Sequence, residues 1–374
     1  RFSSHPIDSL RSGLKMKTVK KIFLGIAAVL AVLLVYVFAS KAITDRKMER
    51  ETAMPQGGIS SLESVTIGGI SQWILIRGEK KDNPILLYIH GGPGSTEMFM
   101  SRKMDTEIVK DFVVVHWDQR GAGKSYSPFI PSASYNREQY LSDTYELVSL
   151  LKKRFSRNKI YIMGHSWGSY LAAVTAHRHP DDFCAFVGIG QMVNAVENES
   201  VSYDFALKRA LIEENKEAFN DLLEIGKPPY KTLGQMMTQR KWLTHFGGGM
   251  FHGEHSKDGF AYMGSFMSES PDYSLLDSVR FFLGMITTLR NVWGEFFTLD
   301  LYTQAPSFKV PVYFMTGRHD YNTPFEILVR FEKDLQAPKK KIYWFEQSAH
   351  SPNFEEPAAF AQALREIKSD GCKQ

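Results

Sequence analysis

A serine stands between two glycines in Gly164-His165-Ser166-Trp167-Gly168, directly after the apolar, β-prone run Lys159-Ile160-Tyr161-Ile162-Met163. A hydroxyl is a weak nucleophile until a base takes its proton and the backbone holds it clear, and a sharp strand-to-helix turn does the holding. At such a turn the chain passes so close to the preceding strand and following helix that side chains at 164 and 168 would collide, which explains both glycines. The alanine-rich stretch Ser169 to His179 is compatible with the helix that must follow. A Gly-X-Ser-X-Gly match alone is common in ordinary loops, so its partners decide its meaning.

A serine held this way needs an acid and then a histidine later in the chain, each at the end of a strand. Val310-Pro311-Val312-Tyr313-Phe314-Met315-Thr316-Gly317 reads as a buried strand, and Arg318-His319-Asp320 follows it; Lys341-Ile342-Tyr343-Trp344-Phe345-Glu346 reads as another, followed by Gln347-Ser348-Ala349-His350. His350 is then the general base, and Asp320 holds its imidazole in the tautomer that accepts the Ser166 proton. Acyl transfer also needs backbone N–H groups aimed at the developing oxyanion. His90-Gly91-Gly92-Pro93-Gly94, after the apolar run Ile85-Leu86-Leu87-Tyr88-Ile89, supplies one candidate donor at Gly92, and Trp167, next to the serine, supplies the other. Each such donor is typically worth about 3–4 kcal/mol of barrier.

A third loop, Asp118-Gln119-Arg120-Gly121-Ala122-Gly123-Lys124-Ser125, follows the strand-like run Phe112 to Trp117. Its Gly-Lys-Ser ending lacks the glycine that a phosphate-binding loop requires at position 118, where Asp118 stands, so a nucleotide site is excluded. The loop is read instead as a brace for the floor of the site, with Asp118 and Arg120 in internal ion pairs.

Taken together, His-Gly-Gly-Pro-Gly, Asp-Gln-Arg-Gly-X-Gly-X-Ser and Gly-X-Ser-Trp-Gly-Ser make the chain resemble the α/β-hydrolase superfamily. Within it, the similarity is to the prolyl aminopeptidase (proline iminopeptidase)-like serine peptidases, over roughly residues 60 to 370. The resemblance implies a mostly parallel sheet flanked by helices with a helical cap insertion, no cofactor, nucleophile Ser166, acid Asp320 and base His350. One segment departs from the pattern: Gly190-Gln191-Met192-Val193-Asn194 does not match the Arg-Gly-Ile-Phe segment of proline iminopeptidases.

The elements that must position these groups are legible in outline. With 374 residues and 43% apolar content the chain can bury one large core, so one catalytic domain with an insertion is expected. The core is assigned to residues 61–191 and 306–371, and a helical cap to 192–305. Leu62–Ile67 and Gln72–Arg77 read as a hairpin across Gly68-Gly69, and the cap carries long helical stretches at Tyr203–Glu224 and Asp277–Leu289. Ahead of them lie a basic segment, 1–21, an apolar run, Ile22 to Ala39, and a polar linker, 40–60. At about 1.5 Å per residue the apolar run is long enough to cross most of a bilayer core. It is read as an uncleaved anchor that exports the catalytic domain, to the periplasm or the extracellular space, with a signal peptide cleaved after Val37-Phe38-Ala39 as the alternative.

Other residues carry blander readings. The net charge of +4 is scattered, which argues against nucleic acid as a partner. His90, His116 and His165 are read as structural; His177 and His179, two apart on a helix, face different ways and make a poor metal pair, so no metal is expected. Cys184 lies in a buried strand and Cys372 in the terminal tail, so no disulfide between them is expected. An aminopeptidase must pair its substrate's ammonium with carboxylates, because a buried unpaired charge is costly. Glu197, Glu199, Glu213 and Glu214 are candidates, with Glu197 and Glu199 placed first.

Three functions compete. The leading one is a membrane-tethered serine hydrolase acting through an acyl-enzyme on short peptides with a free N-terminal residue. The second is a carboxylesterase or lipid-directed hydrolase, and the third a non-catalytic hydrolase-fold binding protein. An intact Ser-Asp-His set disfavours the third.

Overall fold

A computed structural model describes residues 6–256 and 258–372, and the chain divides into two compact units between Glu51 and Thr52. The first unit is one helix, α1 (Pro6–Glu51). Its apolar stretch has a mean hydropathy of 2.9 and is long enough to cross a membrane. The helix does not stop at Ala39 but continues through 40–51, the first part of the segment assigned to a linker. There Lys41–Asp45 and Lys47–Glu51, one turn apart, form ion pairs that favour helix over coil.

The second unit is built on an eight-stranded sheet: β1 (Ile59–Ile67), β2 (Ile70–Gly78), β3 (Ile85–Ile89), β4 (Val113–Asp118), β5 (Ile160–His165), β6 (Phe183–Ile189), β7 (Val312–Gly317) and β8 (Lys340–Phe345). Their spatial order is β1-β2-β4-β3-β5-β6-β7-β8. β1 and β2 pair antiparallel across Gly68-Gly69, where both glycines have positive φ, 55° and 74°, as a two-residue hairpin turn requires. From β4 to β8 every neighbouring pair is parallel. Parallel strands are covered on both faces, so they read as continuous apolar runs. Successive side chains take opposite sides: Leu87 and Ile89 join one core cluster, and Leu86 and Tyr88 the other.

The first cluster is closed by α3 (Arg137–Arg154), α4 (Trp167–Arg178) and α11 (Phe325–Asp334), the second by α13 (Pro357–Ser369). Two short helices, α2 (Ser101–Met104) and α12 (Pro352–Glu355), lie between β3 and β4 and after β8. Between β6 and β7 run α5 (Ala195–Ile212), α6 (Lys216–Ile225), α7 (Leu233–His245), α8 (Gly259–Glu269), α9 (Leu275–Phe296) and α10 (Leu301–Gln304). The stretch read as one helix from Tyr203 to Glu224 is two, because Glu214 adopts φ 52° and Asn215 caps α6 by accepting from the Ala218 amide.

The two cysteines overturn the expectation from sequence: Cys184 and Cys372 are disulfide-bonded, with Cα atoms 5.1 Å apart. Helix α13 packs Phe360, Leu364 and Ile367 on the same sheet face as Cys184 and so returns the tail to the start of β6. A distance of 188 residues along the chain gave no hint of that return. Cys372→Ser is expected to destabilise the protein by about 2–4 kcal/mol, since the bridge restricts the unfolded chain. The check is the thermal midpoint of the variant against the parent under non-reducing conditions; equal midpoints would contradict it.

Candidate active site

β4 lies between β2 and β3, so the chain steps to one side of β3 for β4 and to the other for β5. This reversal leaves a crevice at the carboxyl ends of β3 and β5, where open α/β sheets bind ligands. The His90–Gly94 loop leaves β3 there, and Ser166 follows β5. Ser166 has φ 53° and ψ −120°, a conformation that costs a non-glycine residue about 1–3 kcal/mol. The surroundings enforce it: the Ser166 amide donates to the Ile189 carbonyl at 2.9 Å, and Ser169 Oγ donates to the Ser166 carbonyl at 2.6 Å. A β-carbon at Gly164 would lie 2.1 Å from the Gly168 carbonyl oxygen, and one at Gly168 would lie 2.0 Å from that of Ile89. Both positions exclude any side chain.

Asp320 follows β7 and His350 follows β8, both buried. His350 Nδ1 donates to Asp320 Oδ2 at 2.9 Å. Asp320 also accepts from the Asn322 and Thr323 amides at 2.9 and 2.8 Å, and from Thr323 Oγ1 at 2.8 Å. With every other group around it a donor, the carboxylate can only accept, so the imidazole carries its proton on Nδ1. Nε2 then holds a lone pair, and it is buried without a hydrogen-bond partner. Burial pushes the His350 pKa below the ordinary histidine value, against the pull of Asp320.

His165 does more than pack. Its Nδ1 meets Glu97 Oε1 at 2.6 Å, and its Nε2 donates to the His350 carbonyl at 2.9 Å. Asn353 Nδ2 donates to Tyr88 Oη, whose own proton therefore goes to Glu97 Oε2. Burial disfavours a charged His165, but the Glu97 carboxylate overrides it and raises the pKa, and both ring nitrogens face oxygen acceptors. The serine's neighbour in sequence thus fixes the backbone of the histidine. Glu355 acts from the other side, accepting from the Ala349 and His252 amides, and burial pushes its carboxyl up to about 7.

The Gly91 backbone lies against the serine, since a β-carbon there would be 3.1 Å from Ser166 Cβ. Gln119 ties this loop to the elbow: Nε2 donates to the His90 carbonyl at 2.8 Å, and Oε1 accepts from Trp167 Nε1 at 3.2 Å. The two sequence-predicted oxyanion residues, Gly92 and Trp167, therefore sit in segments joined through one side chain. His90 Nδ1 donates to the Gly91 carbonyl and Nε2 accepts from the Gln119 amide; burial keeps this ring neutral, with its pKa lowered to about 4.

The brace loop departs in one respect from its sequence reading. Arg120 pairs with Asp143 at 2.9 Å as an internal ion pair, but among the described residues Asp118 forms no ion pair: it accepts from Thr96, Tyr273 and the Lys124 amide. Burial pushes the Asp118 carboxyl up to about 6. Hydroxyl donors serve there because they hold a carboxylate without a second buried charge. Cap segments close on the same loops: the Gly249 carbonyl accepts from the His350 amide at 3.3 Å, and Thr288 Oγ1 donates to the Gly121 carbonyl at 3.3 Å.

The cap carboxylates separate. Glu197 is part-exposed and paired with Arg330, whereas Glu199 is buried, with Oε1 on Arg240 and Oε2 without a partner among the described residues. Glu213 pairs with Arg209 near the surface, and Glu214 is exposed. Arg240 also lines a cavity of about 420 Å³ with Met237, Met250, Phe251, Met263 and Asn322, beside the Asp320 loop. Among the described residues no cluster of His, Cys, Asp and Glu has metal-binding geometry. Sequence reasoning missed Glu97, Thr323, Glu355 and Arg240, none of which stands in a recognisable motif.

Sheet order, elbow and cap define the class: an α/β hydrolase. Solved structures agree on the fold. A proline iminopeptidase-related protein from Thermus thermophilus superposes with a TM-score of 0.58 at 18% identity, over 83% of this chain and 98% of its own. A membrane phospholipase A superposes at 0.55 and 20% identity, over 94% of this chain and 98% of its own. Residues 82–237 match the serine aminopeptidase S33 family. The probable aminopeptidase YbaC of Bacillus subtilis strain 168 is 34% identical over 82% of this chain and 95% of its own. A proline iminopeptidase of Heyndrickxia coagulans is 24% identical over 75% of this chain and 88% of its own. The chain belongs to the serine aminopeptidase S33 family of α/β hydrolases, and it is a hydrolase of the serine type.

Proposed function

We propose that Ser166, Asp320 and His350 are the catalytic triad of a membrane-anchored aminopeptidase. It releases N-terminal residues from short peptides through an acyl-enzyme. The observation that carries the reading is His350, whose Nδ1 is committed to Asp320 while its buried Nε2 is free to take a proton. In the proposed cycle Nε2 takes the Ser166 proton as Oγ attacks the carbonyl carbon, and the amides of Gly92 and Trp167 receive the oxyanion. The imidazolium then protonates the leaving amine, and water repeats the sequence in reverse roles to free the acyl group. The relatives named aminopeptidase and proline iminopeptidase favour a peptide substrate. Glu199 Oε2, buried and without a partner, is the carboxylate oxygen proposed to meet the substrate ammonium.

Glu199→Gln is expected to raise KM for prolyl and alanyl arylamides by about tenfold, with little change for a neutral ester, because only the arylamide loses a charge partner. A panel of arylamides and esters measures this, and an equal change on both substrates would remove the role.

A second reading, a lipid-directed carboxylesterase, is favoured by the methionine-lined cavity, which exceeds what a prolyl ring fills. A marked preference for medium-chain esters over aminoacyl arylamides would put it first. The reading of α1 as an anchor, with the catalytic unit outside the cytoplasm, is supported by the apolar span and by the disulfide, which belongs to an oxidising compartment.

A further inference from the structure

One face of α9 has no partner among the described residues. From Leu275 to Ile286 the exposed positions are Leu275, Leu276, Val279, Phe282, Leu283 and Ile286, every one large and apolar. Leu276, Val279 and Phe282 are 59%, 53% and 54% exposed. The opposite face, Asp277, Phe281, Gly284, Thr288, Val292 and Phe296, is buried. Through Thr288 and the Lys124–Asp277 pair that buried face is fixed to the Gly121–Lys124 loop. A stripe of large apolar side chains exposed over three turns is out of place on a surface facing water alone. Phe129, 91% exposed, comes three residues after Tyr126, which lies against Gly284 of the same helix.

We propose that the outward face of α9 docks on a bilayer surface, the same membrane that α1 crosses. The proposal rests on reading α1 as an anchor, which tethers the catalytic unit to a membrane by chain continuity. Charge supports a lipid surface over an acidic or basic protein partner. The stripe presents no free carboxylate, since Asp277 is buried between Lys124 and Arg280, while the exposed Arg290 flanks it as a cation suited to anionic headgroups. Docking seats the apolar side chains at the headgroup boundary and sets the loops beside Ser166 about one helix diameter, ~10 Å, from it. Substrates that partition into the interface, such as esters or acylated peptides, are then captured at the cap.

The test uses the full chain reconstituted into phosphatidylcholine–phosphatidylglycerol vesicles. Single cysteines replace Phe282, Leu30 in α1, or exposed Lys208 on α5, each labelled with an environment-sensitive dye; both native cysteines are already bonded. Spin-labelled lipid is expected to quench the dye at 282 and at 30, and to leave that at 208 unchanged. Adding Leu283→Asp is expected to reduce quenching at 282 by about twofold or more, with turnover of a soluble ester preserved. A dye at 282 that behaves like that at 208, while 30 is quenched, overturns docking and leaves the anchor standing. Absence of quenching at 30 overturns the anchor reading and docking with it. Energy transfer between labelled copies at 282, without lipid quenching, overturns docking in favour of self-association.

Discussion

Ser166→Ala is expected to lower kcat/KM on arylamides and esters by about 10⁴-fold or more and to abolish labelling by a fluorophosphonate probe. The size follows from the removal of the atom proposed to form the acyl-enzyme; binding and oxyanion contacts leave a residual rate. Alanine keeps a β-carbon, so the 53° φ and its strain persist, and the hydrogen bonds from the Ser166 amide to Ile189 and from Ser169 to its carbonyl remain. The fold should therefore survive, which circular dichroism checks alongside activity. Turnover within tenfold of the parent in a folded variant would sink the mechanism.

Asp320→Asn is expected to cost about 10⁴-fold in kcat, as an acid-to-amide change does in other Ser-His-Asp sites. The four donors around Asp320 explain why. An amide has one acceptor, and if its oxygen takes the Asn322 and Thr323 amides, its NH₂ must face His350 Nδ1. The ring then has to accept at Nδ1 and carry its proton on Nε2, where it can no longer take one from Ser166. Wild-type kcat/KM should fall only below the ordinary histidine range of about 6.5, because burial lowers the His350 pKa and the proposed base must be neutral to take a proton. Removing the Asp320 charge, which raises that pKa, should move the residual acid limb lower still. A pH profile of the variant shifted upward, or a loss under tenfold, would contradict this account.

Legibility differed by element. The strands of the core were readable because parallel strands buried on both faces leave long apolar runs, and the brace and oxyanion loops because glycine punctuates them. Helix α1 was readable in its apolar part but not in its extension to Glu51, which depends on spaced ion pairs instead of hydropathy. The break at Glu214 depends on a single backbone conformation that many residues can adopt. Asp118 was misread because a carboxylate near an arginine in sequence implies a pair, whereas here Arg120 turns to Asp143 and three other donors take Asp118.

By itself the sequence determined the hydrolase class and the order of its chemical groups, because strand, turn and nucleophile are contiguous and their constraints act over a few residues. Tertiary structure decided everything that joins distant segments. It bonded Cys184 to Cys372, used Glu97 through His165 to hold the His350 backbone, committed Glu199 to Arg240, and turned one apolar face of α9 outward. Such contacts depend on how helices return across a sheet, and spacing along the chain carries no record of that.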